Sequence, residues 1–326
     1  MPGLPSRNPY ATHAGIVGAI AEYGGAALLA DALGVAAVTV RRWRRELAQD
    51  GGLVAAYAEL PDSEPWGGGV PPILEPRRKG ADEVCLIGSD VHAPHHHRGA
   101  VGAFLALARE ADTVVLNGDI GDFYQISQHN RNAERLGTLQ AEIDATNAIR
   151  AAVRAAAPNA RILETEGNHD NRLRRYIAAN APALASLRSI DPLRLFAWRD
   201  LDIEAYGRPG VRLRPHFLVK HGDRVRQNTG ATARAELAAS GVSGASGHTH
   251  RLGQAVGRTS YGPRLEWWEG GCLCQLDPDY IEGTPDWRHG ALIVTFSGKS
   301  DAFAVEPVQA WDGGLRYGGR VYRAPA

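Results

Sequence analysis

"EVCLIGSDVH", residues 83–92, decides the fold. Within its first six residues, Val84 to Ile87 form a short apolar run without polar alternation, which predicts a strand of an α/β sheet. Gly88 closes the run, and two potential ligands follow at once, Asp90 and His92. The order recurs downstream. "DTVVLNGDIGD" (112–122) passes from an apolar strand through Gly118 to Asp119 and Asp122. "ARILETEGNHD" (160–170) reaches Asn168, His169 and Asp170. "HFLVKHG" (216–222) reaches His221, and "GVSGASGHTH" (241–250) reaches His248 and His250. Helical stretches lie between the first three blocks, "RGAVGAFLALAREA" (98–111) and "NAERLGTLQAEIDATNAIRAAVRAAA" (132–157). Strands alternating with helices predict an α/β domain. The later run "ALIVTFSG" (291–298) predicts further strands in a second sheet, giving a sandwich.

A pair such as His248 and His250 in "GHTH" is, alone, no more than a polar loop. Five such loops at five strand ends are not explained that way. The C-terminal edge of an α/β sheet is where loops converge on one crevice. Glycines at 88, 118, 121, 167, 222 and 247 permit tight turns and close backbone approach there. The donors are carboxylate, imidazole and amide, with no thiolate. That set suits manganese, iron, zinc or magnesium, with nickel also compatible, rather than a cysteine-based structural zinc. It exceeds the needs of one ion. Two ions sharing a carboxylate would use it fully, and such a pair can clamp a phosphoryl group.

Composition narrows the rest. The 326 residues carry 36 Lys and Arg against 36 Asp and Glu, which excludes a globally basic nucleic-acid binder but not a local basic patch. Apolar residues make up 44%, enough for a sizeable core. Three cysteines, Cys85, Cys272 and Cys274, fit no disulfide framework and read as free thiols of a reducing compartment. The N-terminal stretch shows neither a secretion signal nor a membrane span. The expectation is a cytoplasmic protein with no membrane partner.

Residues 1–52 read as a separate all-α module, 53–80 as a proline- and glycine-rich linker, and 81–326 as the main domain. In the module, "AALLADALGVAAVTVRRWRREL" (26–47) reads as helix, turn at Gly34, helix. Leu28, Leu29, Leu33, Val38, Val40, Trp43 and Leu47 would share a core. The spacing is similar to helix-turn-helix, with Arg41, Arg42, Arg44 and Arg45 on the second helix. Residues 36–48 are therefore a candidate DNA contact, and a small interaction or oligomerisation module is the alternative.

The order "DVH", "GDIGD", "GNHD", a lone histidine before glycine, and "GHTH" resembles the calcineurin-like metallophosphoesterases over roughly residues 83–300. With the N-terminal module, the chain looks like phage or prophage relatives of that superfamily. The resemblance implies a two-sheet β-sandwich flanked by helices with a di-metal site at one edge. It implies that Asp90, His92 and His250 hold one metal. Asp119 bridges both, and Asn168, His221 and His248 complete the second. It also implies that His169 protonates the leaving oxygen, with Asp122 orienting it, fixing its tautomer and raising its pKa. The protein phosphatases of this superfamily carry arginine and glutamate where this chain has Phe123 and Asp170, which weakens a phosphoprotein reading.

The function implied is a phosphoesterase in which a metal-bound hydroxide attacks a phosphate ester, with manganese as the first candidate metal. A phosphodiesterase or nuclease acting on DNA or nucleotides is the leading form. The alternatives are a phosphomonoesterase on a small molecule or phosphoprotein, and a DNA-binding regulator with a metal-sensing domain. Arg172 is a candidate phosphate grip, while Arg174 and Arg175 are equally readable as helix surface paired with acids. His95, His96 and His97 read as solvated loop. Trp267, Trp268 and Tyr280 read as core before base-stacking residues. Cys272 and Cys274 read as small buried hydrophobes in a strand-like stretch. His129 and Asn130 have no spacing that demands a role.

Overall fold

The computed structural model describes residues 16, 19, 20, 26–33, 35, 40, 43, 70–77, 80–128, 137–258, 262–277 and 285–324. The chain divides into two compact units, Met1–Glu64 and Pro65–Ala326. In the first unit, Ile16, Ile20, Ala26, Leu29, Ala30, Val40 and Trp43 form a buried apolar cluster, with Leu33 and Val35 against it. Leu29 and Ala30 lie on helix α1 (Ala26–Ala32). The expected turn at Gly34, the four arginines at 41, 42, 44 and 45, most of segment 36–48 and linker residues 53–69 lie outside the described residues, as do His129, Asn130 and Tyr280.

The second unit contains, in order, β1 (Glu83–Gly88), α2 (Arg98–Ala108), β2 (Thr113–Asn117), α3 (Leu139–Ala156), β3 (Arg161–Thr165), α4 (Arg172–Asn180), α5 (Pro192–Leu195), β4 (Ile203–Tyr206), β5 (Val211–Arg214), β6 (Phe217–Val219), α6 (Ala231–Ser240), β7 (Ser243–Ser246), β8 (Leu252–Arg258), β9 (Arg264–Gly270), β10 (Gly290–Phe296), β11 (Phe303–Trp311), β12 (Gly314–Tyr317) and β13 (Arg320–Tyr322). They form two sheets, ordered β13-β12-β11-β10-β1-β2-β3-β4 and β5-β6-β7-β9-β8. Strands β1 to β4 run parallel, as do β6, β7 and β9. The mixed α/β class with two sheets matches the expectation, but 291–298 does not build the second sheet: β10 pairs antiparallel with β1 inside the large sheet, and the small sheet comes from strands β5 to β9.

Period-two side-chain alternation divides the core. Cys85, Ile87, Val115 and Leu163 of the large sheet meet Val211, Leu213, Phe217, Val219 and Ala245 of the small one. Leu86, Val114, Leu116 and Ile162 point the other way, onto Phe104 and Leu107 of α2 and Ile143, Ile149 and Val153 of α3. The parallel strands are covered on both faces, which explains their unbroken apolar runs.

The long helix begins at Leu139 rather than at 132, and residues 129–136 lie outside the described residues. Thr138 is its N-cap, accepting from the Ala141 N–H at 3.1 Å. The end of the proline-rich stretch runs beside β5, where the Leu74 N–H donates to the Arg212 carbonyl and the Arg212 N–H to Pro72. Behind the sheet, Arg150 of α3 forms a bidentate pair with Glu164 of β3 at 2.8 and 2.6 Å. Both are buried, and the Arg150 guanidinium lies over the Phe196 ring at 4.9 Å. Among the described residues, no helix is long and apolar enough to cross a membrane.

Candidate metal centre

Every expected donor follows directly on a strand. Asp90 and His92 follow β1, Asp119 and Asp122 follow β2, Asn168 and His169 follow β3, His221 follows β6, and His248 and His250 follow β7. These are C-terminal ends of parallel strands, three from the large sheet and two from the small one. The loops are tied to one another by main-chain hydrogen bonds. Asp90 N–H donates to Gly118, His92 to Asp119, Gly247 to His221 and Leu273 to Asp90.

The backbone of the donor loops is unusual. Asp90, His92, Asp119, His248 and His250 all have positive φ, between 50° and 68°. Side chains other than glycine adopt this region rarely, and clusters of such residues accumulate at functional sites. Two glycines are needed for a different reason. A Cβ on Gly167 would sit 2.0 Å from Asp119 Oδ1, and one on Gly247 would sit 2.4 Å from Asp90 Oδ2.

The loops assemble three overlapping groups whose ligand atoms lie within 4.8 Å of one another. They are Asp90, His92 and His250; Asp119, His221 and His248; and His92, Asp119 and His169. Asn168 joins the second, its Oδ1 lying 3.2 Å from His221 Nε2. Asp90, His92, Asp119, Asp122, His221 and His250 are buried. His169, Asn168 and His248 are half-buried and mark the open side.

The His221 and His92 rings are tied from behind. His221 Nδ1 lies 2.9 Å from the Asn117 carbonyl, which can only accept, so Nδ1 carries a proton and, in the neutral ring, Nε2 keeps the lone pair. That Nε2 is 3.2 Å from Asp119 Oδ2. His92 Nδ1 likewise donates to Asp122 Oδ1 at 3.1 Å. Its Nε2 then faces His250 Nε2 at 3.2 Å, and His250 Nε2 is 3.1 Å from Asp90 Oδ1. Lone pairs of two imidazoles and a carboxylate thus converge on one point. Such a point is destabilised until positive charge enters it, and rings held from behind in this way are the usual setting of metal-ligating histidine. The donor set therefore fits divalent cations.

The acid–base balance agrees. Burial would push up the Asp90 carboxyl, but His250 and His221 hold it well below the usual range. The same holds for Asp119, through His221 and His169, and for Asp122, through His169 and His92. Burial lowers His221 and His250, yet Asp119 and Asp90 outweigh it and bring both up to about 9, so without a cation both rings hold a second proton, which a metal would have to displace.

His169 departs from expectation. Its Nδ1 lies 3.0 Å from Asp122 Oδ1 and 2.9 Å from the Asp122 carbonyl, so Asp122 does orient it. Its pKa is nevertheless lowered, because burial, His92 and Arg172 outweigh the two aspartates. Arg172 Nη1 donates to the Asp122 carbonyl at 2.7 Å, and Nη2 stands 3.1 Å from His169 Nε2. Arg172 is at the site, and these two nitrogens face protein acceptors.

Several residues play parts that the sequence does not show. Asp170 gathers the loops from beneath, accepting from the N–H groups of Asp119 at 2.7 Å, Gly167 at 3.0 Å and Gly121 at 3.4 Å. Burial raises it to about 7. Cys274 is not in a strand. Its Sγ lies 3.7 Å from His250 Nδ1, and with Cys272 and His250 it forms a further group of potential ligands. Trp287 packs edge-on against the His250 ring at 4.0 Å. Of the histidine run, His97 caps α2 by accepting from the Ala100 N–H, and His95 Nε2 lies 3.9 Å from Asp122 Oδ2. Trp267 is core, its Nε1 donating to Ser246.

No family model matches the chain. The Gene 54 protein of Mycobacterium phage L5 is 26% identical to it over 258 residues, a span that covers 73% of this chain and 97% of that protein.

Proposed function

We propose that the protein is a metal-dependent phosphoric ester hydrolase of the calcineurin-like type, acting on phosphodiesters of nucleic acid or nucleotides. The observation that carries this reading is the convergence of imidazole and carboxylate lone pairs on a buried point beside a half-buried, oriented histidine. Asp90, His92 and His250 would hold one cation, and Asn168, His221 and His248 a second, with Asp119 between them. When bound, manganese or a similar pair supplies positive charge to a phosphate and activates water.

The remaining work falls to the chain's own groups. Asp122 holds His92 and His169 through their Nδ1 atoms, fixing both rings. His169, at the mouth, would deliver a proton from Nε2 to the departing oxygen. In the resting arrangement that nitrogen accepts from Arg172. A substrate phosphate drawing the guanidinium to itself frees Nε2, and its negative charge favours the protonated ring. Phe123 is fully buried, 5.5 Å from the Phe196 ring, so it offers no grip on a phosphoprotein. The relative in a mycobacteriophage supports a phage or prophage setting. The N-terminal unit is proposed to contact DNA through residues 36–48. Deleting residues 1–52 would then weaken salt-sensitive DNA binding, and unchanged affinity would make the unit an interaction module.

The enzymatic test compares manganese-loaded protein on bis-p-nitrophenyl phosphate and p-nitrophenyl phosphate. Faster turnover of the diester is expected. Preference for the monoester would favour a phosphomonoesterase, and no turnover across several metals would favour a metal-sensing regulator. His169→Ala should retain its metal and slow turnover by about 10²–10⁴-fold. An unchanged rate would remove His169 from the reaction.

A further inference from the structure

Helix α4 carries three arginines, and they divide in purpose. Arg174 turns toward Glu166, 3.6 Å away. Arg172 lies against His169 and the Asp122 carbonyl. Arg175 is exposed, and its Nη2 donates to Gln128 Oε1 at 3.3 Å. No carboxylate of the described residues lies within ion-pair distance of it. Arg172, Arg175 and Tyr176 stand at i, i+3 and i+4, on one face of the helix. They line a cleft with Ile126, Gln128 and Asn168. Asn168 also belongs to the candidate metal centre, so the cleft opens directly off it. Tyr176 is 44% exposed, so part of its ring is open to solvent.

The lining is specific in its chemistry. A guanidinium with five fixed donors matches a phosphate. An exposed phenol ring offers a face to any base. A neighbouring amide supplies both a donor and an acceptor to a base edge. An acidic peptide would use the cation but has no call for ring and amide together. We infer that this cleft is a subsite for the nucleotide adjoining the scissile phosphate, with its own phosphate on Arg175 and its base on Tyr176. The inference rests on the phosphodiesterase reading for its place in catalysis, and it names the substrate as a nucleotide-bearing diester.

The test uses full-length protein in two arms. In the first, manganese-loaded wild type, Arg175→Ala and Tyr176→Ala are assayed on a trinucleotide and on bis-p-nitrophenyl phosphate. For each variant, kcat/KM on the trinucleotide should fall about tenfold more than on the small diester, and Tyr176→Phe should restore it. Equal losses on both substrates, or none on either, would overturn the subsite. In the second arm, a fluorescein-labelled trinucleotide is titrated onto metal-free protein by anisotropy. Arg175→Ala should weaken binding and reduce the log–log salt slope by about 0.7. Displacement of the label by a phosphopeptide but not by unlabelled trinucleotide would also overturn it. A nucleoside monophosphate competitor separates a single-nucleotide ligand from a strand. If wild type fails on bis-p-nitrophenyl phosphate while the second arm succeeds, the hydrolase reading fails and the nucleotide subsite stands.

Discussion

Adding one methyl group at Gly167 should dismantle the centre while leaving the fold standing. The new Cβ would lie 2.0 Å from Asp119 Oδ1 and 2.3 Å from the Asp119 backbone nitrogen. Ordinary contact begins at 3.4 Å, so the groups would have to part by about 1.4 Å. Rotating the Asp119 side chain cannot relieve a clash that includes its backbone. The loop itself would have to move, although it is pinned by the Gly167 and Asp119 N–H bonds to Asp170. Overpacking of this kind costs about 1–3 kcal/mol in stability. A misplacement near 1 Å at reacting groups costs about 10²-fold in rate. The assay is thermal unfolding with and without manganese, alongside turnover. At a free ion concentration of about 100 times Kd, wild type gains roughly 2.7 kcal/mol for each ion bound. For a domain of this size that is a Tm rise of about 5–11 °C per ion. Gly167→Ala should keep a cooperative transition but show a rise under about 2 °C, with turnover down about a hundredfold. Gly137→Ala, whose Cβ would meet, among the described residues, only Gln125 Nε2 at 3.4 Å, is the control. A Gly167→Ala protein with the wild-type metal response would refute the claim that Asp119 occupies the heart of a cation site.

Three further outcomes are expected. Glu164→Gln strands the buried Arg150 charge and should lower stability by about 3–5 kcal/mol in urea titration, while Arg150→Met with Glu164→Leu should recover most of the loss. Cys274→Ala removes the group behind His250 Nδ1 and should weaken manganese affinity about 10–100-fold by calorimetry, with the fold intact by circular dichroism; an affinity within twofold of wild type would make the thiol mere packing. Burial raises the Glu142 carboxyl to about 7, although the Gln125 and Tyr124 N–H groups favour its ionised form. Its folded pKa therefore exceeds its unfolded one, so its contribution is full below about pH 4.5 and is lost as pH rises to about 7. The Tm of Glu142→Gln minus that of wild type should grow from pH 5 to pH 8, and a flat difference would contradict the sign.

The ligand loops were legible because their signal is local. An apolar run, a glycine and a donor lie within ten residues of one another at Asp90, Asp119, Asn168, His221 and His248. The mixed α/β class followed from the same runs. What the chain hid is what depends on distant segments. Asp170 stands in the third block, yet its role depends on Asp119 and Gly121, about fifty positions earlier. Cys274 and Trp287 come to His250 through loops with no periodic pattern. The Arg150–Glu164 pair joins a helix to a strand, and neither residue stands out in its own segment. The lowered His169 pKa does not follow from the sequence, which shows neither the burial of the ring nor that His92 and Arg172 lie against it. The start of α3 was readable in principle, since Gly137-Thr138 is a good helix entry that the broader helical composition obscured.

The proposed ions would draw three donor loops from one sheet and two from the other. Occupied, the centre would act as a rivet through both leaves of the sandwich. Separation of the leaves would then require the rivet to leave first. Deuterium uptake in β2 and in β7 should consequently slow together on loading, although the two strands belong to different sheets, and proteolytic lifetime should lengthen in step.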